Sequence, residues 1–424
     1  MKQYYDVIVV GGGFAGVAAA ISAAREGRSV RLIEKYNCLG GAAAYDLVNP
    51  FMRYWTYTKD KTEKVMLSCG LFLEIVGRID ALSGFRAGTK GKTCFNEEVL
   101  KLVLNRMAME SGVSLLYQTY VTGAEVENGT VKAITVSNVS GSSRYTADCF
   151  IDATGDANLA MLAGFPYRVG RESDGLCQPM TLCFRVGGID KAKFEPFRPK
   201  MQALYKEWQA EGKLSNPREN VLCFRNYNNG VIHFNTTRVT HKSPTDPFAL
   251  TEAEITAREQ VYEMMRFLRE AVDGCENARL LSTALHIGIR ESRRVIGDYV
   301  LCEKDLISLA RFEDVVAVSN YAIDIHSPDG SGTSHYYFPP GEYYTIPYRS
   351  LIPSGVSNLL VAGRCISSDH GAQASYRIMP VVCCLGEAAG VAISLAVKYN
   401  STVREVNVSE LQSILKHNGA YIGI

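Results

Sequence analysis

The sequence predicts an α/β protein in which a parallel sheet, built from both ends of the chain, is interrupted by an α+β insertion on an antiparallel sheet. Three stretches carry that prediction, each an apolar run that breaks into a small-residue turn. They are Asp6-Val7-Ile8-Val9-Val10 before Gly11, Cys149-Phe150-Ile151-Asp152 before Ala153-Thr154-Gly155-Asp156, and Asn358-Leu359-Leu360-Val361 before Ala362-Gly363-Arg364. Strands buried on both faces read as unbroken apolar runs, and in doubly wound sheets the turns leaving their carboxyl ends meet ligands. The outer two lie more than 300 residues apart, so one sheet must close around a long insertion.

The first stretch reads as a β-α-β unit. Residues 17–25 are nearly all Ala, Ile and Val, which suits a tightly packed helix, and Val30-Arg31-Leu32-Ile33 supplies the second strand. Within Gly11-Gly12-Gly13-Phe14-Ala15-Gly16, Gly11 would turn the chain off the strand and Gly13 would let the backbone close on a pyrophosphate. Gly16 would let the helix press on the sheet. The phosphates would sit at the positive helix end, at Phe14 and Ala15. Glu34 stands 18 residues after Gly16, where a carboxylate accepts hydrogen bonds from both ribose hydroxyls of an adenosine and repels a 2′-phosphate. Strand, glycines, helix, strand and acid in register predict a dinucleotide site.

With 424 residues, 47% of them hydrophobic and 21% charged, the chain can bury a large core in about two or three domains. A net charge of +1 advertises no surface for nucleic acid, so a small molecule is the expected ligand. The first strand starts within five residues of the N-terminus, leaving no room for a signal peptide. The most apolar run, residues 381–397, carries Glu387 and is short for a membrane span; a cytoplasmic protein with no membrane partner is expected. The 12 cysteines form no C-x-x-C pair, which argues against a redox dithiol, a zinc ribbon or an iron–sulfur cluster.

After Glu34, the loop Leu39-Gly40-Gly41-Ala42-Ala43-Ala44 would let backbone amides approach a ligand, or would be a simple turn. Phe51, Tyr54, Trp55 and Tyr57 are expected to pack between domains, with a pocket wall as the alternative. Residues 96–110 predict a helix opened by an Asn cap, with Val99, Leu102, Val103, Arg106 and Met107 near one face. A strand at 113–116 and a hairpin at 121–136, turning at Glu127-Asn128-Gly129-Thr130, follow. The insertion, residues 168–344, is expected to hold strands at 180–186 and 230–235 and helices at 200–211 and 251–272. The second helix would open with the capping box Thr251-Glu252-Ala253-Glu254. Residues 1–167 and 345–424 would form the two parts of the sheet domain, with a last helix packed on its surface. A second G-x-G-x-x-G is absent, which leaves no evident site for a nicotinamide nucleotide.

Together these residues resemble the FAD-dependent oxidoreductases of the glutathione-reductase-like, two-dinucleotide-binding-domain superfamily, and most closely a bacterial FAD-dependent oxidoreductase family. The marks are the first glycine motif, Glu34-Lys35 with Leu39-Gly40-Gly41, Ala153-Thr154-Gly155-Asp156, Arg290-Glu291-Ser292-Arg293-Arg294 with Gly297-Asp298-Tyr299, and Ala362-Gly363-Arg364 followed by Arg377-Ile378-Met379-Pro380 and Gly386-Glu387-Ala388-Ala389-Gly390. The resemblance implies a Rossmann-like FAD-binding domain and a substrate or cap domain. It implies that Gly11, Gly13 and Gly16 hold the pyrophosphate, Glu34 with Lys35 the adenosine ribose, and Gly40, Gly41 and Ala42 the phosphate side. Val121 would bracket the adenine, Ala153, Thr154 and Gly155 would pass beneath the cofactor, and Gly363 and Arg364 would meet the ribityl chain. Non-covalent FAD is expected.

A flavin accepts a hydride at N5 and leaves negative charge near N1 and the C2 carbonyl. A helix opening at Met379-Pro380-Val381, proline at its start, would aim its positive end at that carbonyl, or would be an ordinary buried helix. Leu285-His286-Ile287-Gly288-Ile289-Arg290 alternates like a strand with His286, Gly288 and Arg290 on one face. His326, His335 and Tyr336 surround the loop Ser327-Pro328-Asp329-Gly330-Ser331-Gly332, while His370 and Arg377 flank the last cofactor motif. A base among His286, His326, His335 and Tyr336 would take a proton while Arg290 or Arg377 orients an anionic or carbonyl group. The plainer alternative is that the histidines are core residues and that the arginines form a salt-bridge network with Glu291 and Asp298. Asp324, His326 and His335 could alternatively ligate a metal, but none is expected. The expected function is hydride transfer from a small polar or anionic metabolite to FAD. The alternatives are a flavin subunit passing electrons to a separate partner protein, and a non-catalytic flavin redox sensor.

Overall fold

The computed structural model describes residues 4–83 and 94–423. Five strands of its seven-stranded main sheet run parallel, in the spatial order Ser114–Leu116, Val30–Ile33, Tyr4–Val10, Gly141–Asp152, Leu359–Val361. Chain order reverses at Tyr4–Val10, so the crevice beyond its carboxyl end is the topological switch point of the sheet. The register makes the carboxyl ends level: Val10 pairs with Ile33 and with Asp152, Asp152 pairs with Val361, and Ile33 pairs with Leu116. Gly11, Glu34, Ala153 and Ala362 consequently leave the sheet along one edge. The amino half of Gly141–Asp152 pairs instead with Thr130–Asn138, which turns back to Tyr120–Glu127 at Asn128 and Gly129, with φ of 49° and 74°. Two positive φ angles are what a tight hairpin with this sequence requires.

Helix Phe14–Arg25 is wedged between this sheet and the long helix Met379–Tyr399. Glycines set both gaps: a Cβ at Gly16 would lie 1.7 Å from the Gly11 carbonyl oxygen, and one at Gly386 would lie 2.0 Å from that of Ala15. Met379–Tyr399 is the one helix among the described residues long and apolar enough to cross a membrane. The apolar window of that helix is 89% buried, as in a core helix.

The insertion builds a four-stranded antiparallel sheet in the order Cys223–Arg225, Ile232–Phe234, Phe184–Gly187, Arg279–Thr283. Helices Lys191–Ala210 and Pro247–Ala271 cover it and close a second core around Phe184, Phe234, Val261, Met264 and Phe267. Val316, Ala317, Tyr344 and Ile346 pack in the first core.

Several local expectations are corrected. The helix expected at 251 begins at Pro247, because Asp246 accepts from the Phe248 and Ala249 amides and proline suits a first turn. Thr251 instead donates its hydroxyl to the Pro247 carbonyl. The helix expected at 200–211 starts at Lys191 and runs through Pro196 and Pro199. Helix Glu97–Glu110 buries Leu100, Val103, Leu104 and Met107, while Leu102 is exposed. Residues 285–290 form no strand: the Leu285 amide donates to Tyr45 O and the Ile287 amide to Glu254 Oε1, leaving only a bridge between Gly288 and Thr181. Phe51 and Tyr54 pack, but inside the first core and not between domains, in a buried cluster with Phe14, Phe72 and Phe95, while Tyr57 is exposed.

Glu387, 3% exposed in the long helix, accepts the Leu71 amide at 3.2 Å, and burial pushes its carboxyl up to about 7. The folded state therefore binds the proton more tightly than the unfolded chain, so this contribution is present below pH about 4.5 and lost as pH rises through 7. Glu387→Gln should raise Tm at pH 8 and leave it nearly unchanged at pH 5, the gap corresponding to at most about 3 kcal/mol. Calorimetric melting at the two pH values checks this.

Candidate functional site

A cavity of about 500 Å3 runs from Glu34 along the carboxyl edge of the sheet to Arg377 and Met379 beside the insertion. Gly11, with φ +101°, is irreplaceable at its floor, since a Cβ there would sit 2.4 Å from the Ala153 oxygen. Gly13 differs: its Cβ direction meets nothing closer than Gly41 Cα at 3.8 Å, and it caps helix Phe14–Arg25 without any side chain. Gly40, at φ +119°, donates its amide to Gly12 O, which brings the second glycine loop over the first. The result is a cradle of bare backbone at a helix N-terminus, the chemistry that receives a pyrophosphate.

Glu34 lies buried at the far end, accepting the Gly12 amide on one carboxylate oxygen and the Tyr36 amide on the other, at 2.9 Å. Burial raises its pKa against those amides. Each oxygen keeps a lone pair for a ribose hydroxyl. Lys35, Ala42, Val121, Ala153, Thr154, Gly155, Gly363 and Arg364 also line the cavity, as do Phe14 and Ala15. Arg364 donates to Asp156 at 2.6 Å, and Ser292 shares that oxygen. Burial alone would raise the Asp156 carboxyl, but Arg364 and Lys35 hold it low. Gly16, Pro380 and Val381 do not line the cavity; Gly16 sets the helix against the sheet, and Met379 and Val382 supply the wall expected from Pro380 and Val381.

The catalytic candidates separate into three places. His286 lines the cavity, with Nδ1 2.5 Å from Asp46 Oδ1 and its ring stacked on Tyr36 at 4.8 Å. Burial lowers its pKa, yet the hydrogen bond and charge of Asp46 more than offset this and hold it above 6.5, while Nε2 is buried with no partner. Arg377 lines the inner wall. Behind it, Arg290 donates to Pro179 O and Thr181 Oγ1, and His326 contacts Arg238 at 3.1 Å and Asp324 at 3.5 Å. Burial and then Arg290 push His326 down to about 3. His335, 39% exposed by its side chain, lies 3.3 Å from Asp324, and Tyr336 is exposed on the same hairpin; neither lines the cavity. His370 and Arg294 share buried Glu291 in a separate ion network, and buried His233 lies in the antiparallel sheet. No group of three metal-ligating side chains is found among the described residues.

Sequence reasoning missed Tyr36, Tyr45, Asp46, Arg218 and Arg238. Asp46 stands only four residues beyond Ala42, but its partner His286 is 240 residues away, and no local pattern joins them.

The switch-point cradle, the acid at the second strand and the cavity running to an inserted domain define a dinucleotide-dependent oxidoreductase. The profile of the FAD dependent oxidoreductases matches residues 6–415, and the chain belongs to that family; its cofactor is FAD. Digeranylgeranylglycerophospholipid reductase of Methanoculleus marisnigri is 28% identical over 174 residues, 39% of this chain and 42% of that protein. The reductase of the same name from Methanocella arvoryzae is 31% identical over 137 residues, 32% of this chain and 35% of that protein. The aligned stretches thus span under half of these relatives. In fold alone, p-nitrophenol 4-monooxygenase PnpA from Pseudomonas putida is similar with a TM-score of 0.50 at 9% identity, covering 98% of this chain and 84% of that one.

The two glycines predict opposite defects. Gly13→Ala should fold normally and melt as the wild-type apoprotein, yet bind FAD about tenfold or more weakly by flavin-fluorescence titration. Gly16→Ala, whose Cβ has no room, should fail to give soluble folded protein by circular dichroism.

Proposed function

We propose that this FAD-dependent oxidoreductase exchanges a hydride between FAD and a small polar substrate held where the cavity meets the insertion. The observation that carries the reading is His286, a residue of the cavity wall held at Nδ1 by buried Asp46 and buried at Nε2 without a protein partner. A histidine fixed by a carboxylate in this way can take a proton from a substrate hydroxyl or amine at Nε2.

FAD supplies the hydride acceptor, which the cradle at Gly13 and Gly41 and the acid Glu34 would hold in place. Arg377, which lines the same cavity, would pair with a carboxylate or carbonyl oxygen of the substrate. Phe14, Tyr45, Ile287 and Met379 add apolar surface to the cavity wall. The reductases similar to this chain are named for an isoprenoid lipid, but arginines and a histidine–aspartate pair around the inner cavity favour a polar substrate over a hydrocarbon chain.

Anaerobic mixing of the FAD-loaded protein with a panel of hydroxy acids, amino acids and amines should bleach the flavin with one compound class. Bleaching only by a partner protein would indicate an electron-transfer subunit, and none short of dithionite a sensor. With a true substrate, the reduction rate should rise with pH through a pKa above 6.5, since the neutral imidazole is the base. His286→Asn should slow reduction by about 100-fold and flatten that profile. A rate and profile unchanged in His286→Asn would remove it from the role.

A further inference from the structure

We propose that Arg218, Arg290 and Arg377 form a binding site for a doubly charged oxyanion of the substrate, at the junction of the insertion and the main sheet. The proposal rests on the reading of the cavity given above and adds the substrate's charge. Arg218 is 4% exposed, yet its Nη1 has no hydrogen-bond partner among the described residues, and its Nε reaches only Asn220 Oδ1 at 3.5 Å. Arg377 is similarly unsatisfied. Its Nε is buried without a partner, and its Nη2 meets Gln178 Oε1 and Asp324 O at 3.5 Å and Asp324 Oδ2 at 3.9 Å. Arg290 is anchored through Nη1, to Pro179 O at 2.6 Å and Thr181 Oγ1 at 2.7 Å, which leaves Nη2 only Asn235 Oδ1 at 3.4 Å.

Charge decides the class of ligand. Arg238, the fourth guanidinium of the group, is already paired with Glu219 at 3.0 Å and with the carbonyls of Gly330 and Gly332. Distances join the group, from Glu219 to Arg238 at 3.0 Å, Arg238 to His326 at 3.1 Å, His326 to Asp324 at 3.5 Å and Asp324 to Arg377 at 3.9 Å, and Arg218 and Arg290 add two more guanidinium charges that act on Asp324, against the two carboxylates Glu219 and Asp324. Burying uncompensated cations is costly, and a guanidinium matches the two oxygens of a carboxylate or phosphate. A dianion restores neutrality. Arg377 belongs to both the group and the FAD cavity, so an anion held by the three arginines would leave its neighbouring carbon at the cavity wall.

The shared chemistry is a dicarboxylate or a phosphate-bearing molecule, and the FAD-loaded protein can be tested with succinate and with inorganic phosphate. Saturable binding by calorimetry, with a rise in Tm of several degrees, is expected for at least one. Succinate alone indicates a dicarboxylate substrate, and phosphate alone a phosphorylated one. Arg218→Met should abolish the effect and keep its FAD, since Arg218 does not line the cofactor cavity. It should also melt higher than wild type without ligand, because it removes an uncompensated buried charge; a structural role would lower that Tm. Binding of neither probe, binding unaltered in both Arg218→Met and Arg377→Gln, or a lower ligand-free Tm for Arg218→Met would overturn the proposal. Anion binding without flavin reduction by any compound would sink the hydride-exchange reading and leave this site standing.

Discussion

Everything in the molecule depends on how closely one helix can approach its neighbours. Phe14–Arg25 has the sheet on one side and Met379–Tyr399 on the other, and the gaps are too small for any side chain at Gly16, Gly386 or Gly390. A Cβ at Gly390 would lie 2.3 Å from the Ala19 carbonyl oxygen. Close-packed interiors transmit such displacements, because there are few voids to absorb them. The position of the helix N-terminus at Gly13 is therefore fixed by three backbone contacts along the first two turns of the helix. A cofactor cradle made of backbone has no side chains to adjust, so its accuracy must come from this wedge.

The same wedge explains the chain order. The segment that closes the sheet, Leu359–Val361, and the helix that clamps Phe14–Arg25 both come from the last sixth of the sequence, after the insertion has been made. Asn358 ties the closure: its side chain donates to Val131 O and Asp148 O and accepts the Val131 amide. Both of these strands belong to the first part of the domain. An insertion is tolerated there because it leaves from the carboxyl edge, where turns already exist and the hydrogen-bond ladder has ended. It also arrives where a substrate must be presented to the cofactor, so the geometry that permits the insertion gives it its position.

What the sequence made legible was whatever is encoded by neighbours along the chain. The Asn128-Gly129 turn and the Asn96 cap rest on contacts within a few residues, the glycine motif with Glu34 and the three apolar strands are written in short unbroken stretches, and each has its predicted form. Residues 285–290 show the opposite case. Their alternation suggested a strand, but a loop carbonyl at Tyr45 and the Glu254 carboxylate took the amides a ladder would have used. The insertion's helices start upstream of their expected positions because Asp190 and Asp246 act as the caps, and the apparent capping box at Thr251 lies inside the second helix. Asp46, Arg218 and Arg238 were illegible for a different reason: each draws its significance from groups far off in sequence, and a lone charged residue carries no periodic signature.

Two histidine–aspartate pairs in one protein show how far the field around a pair, and not the pair itself, sets its chemistry. His286 with Asp46 and His326 with Asp324 have the same partners in type, and both are largely buried. Burial raises the Asp46 carboxyl while His286, Arg364 and Lys35 act against that, and Asp46 in turn holds the imidazole above its ordinary value. Asp324 must serve His326, His335, Tyr321 and Arg377 together, while Arg290 and Arg377 repel a proton from His326. The first pair can gain and lose a proton near neutrality; the second is locked, with a neutral ring and an ionised acid. In the function proposed here, the division of labour follows from that contrast: the locked pair belongs to the region that recognises charge, and proton movement falls to the pair that can still titrate.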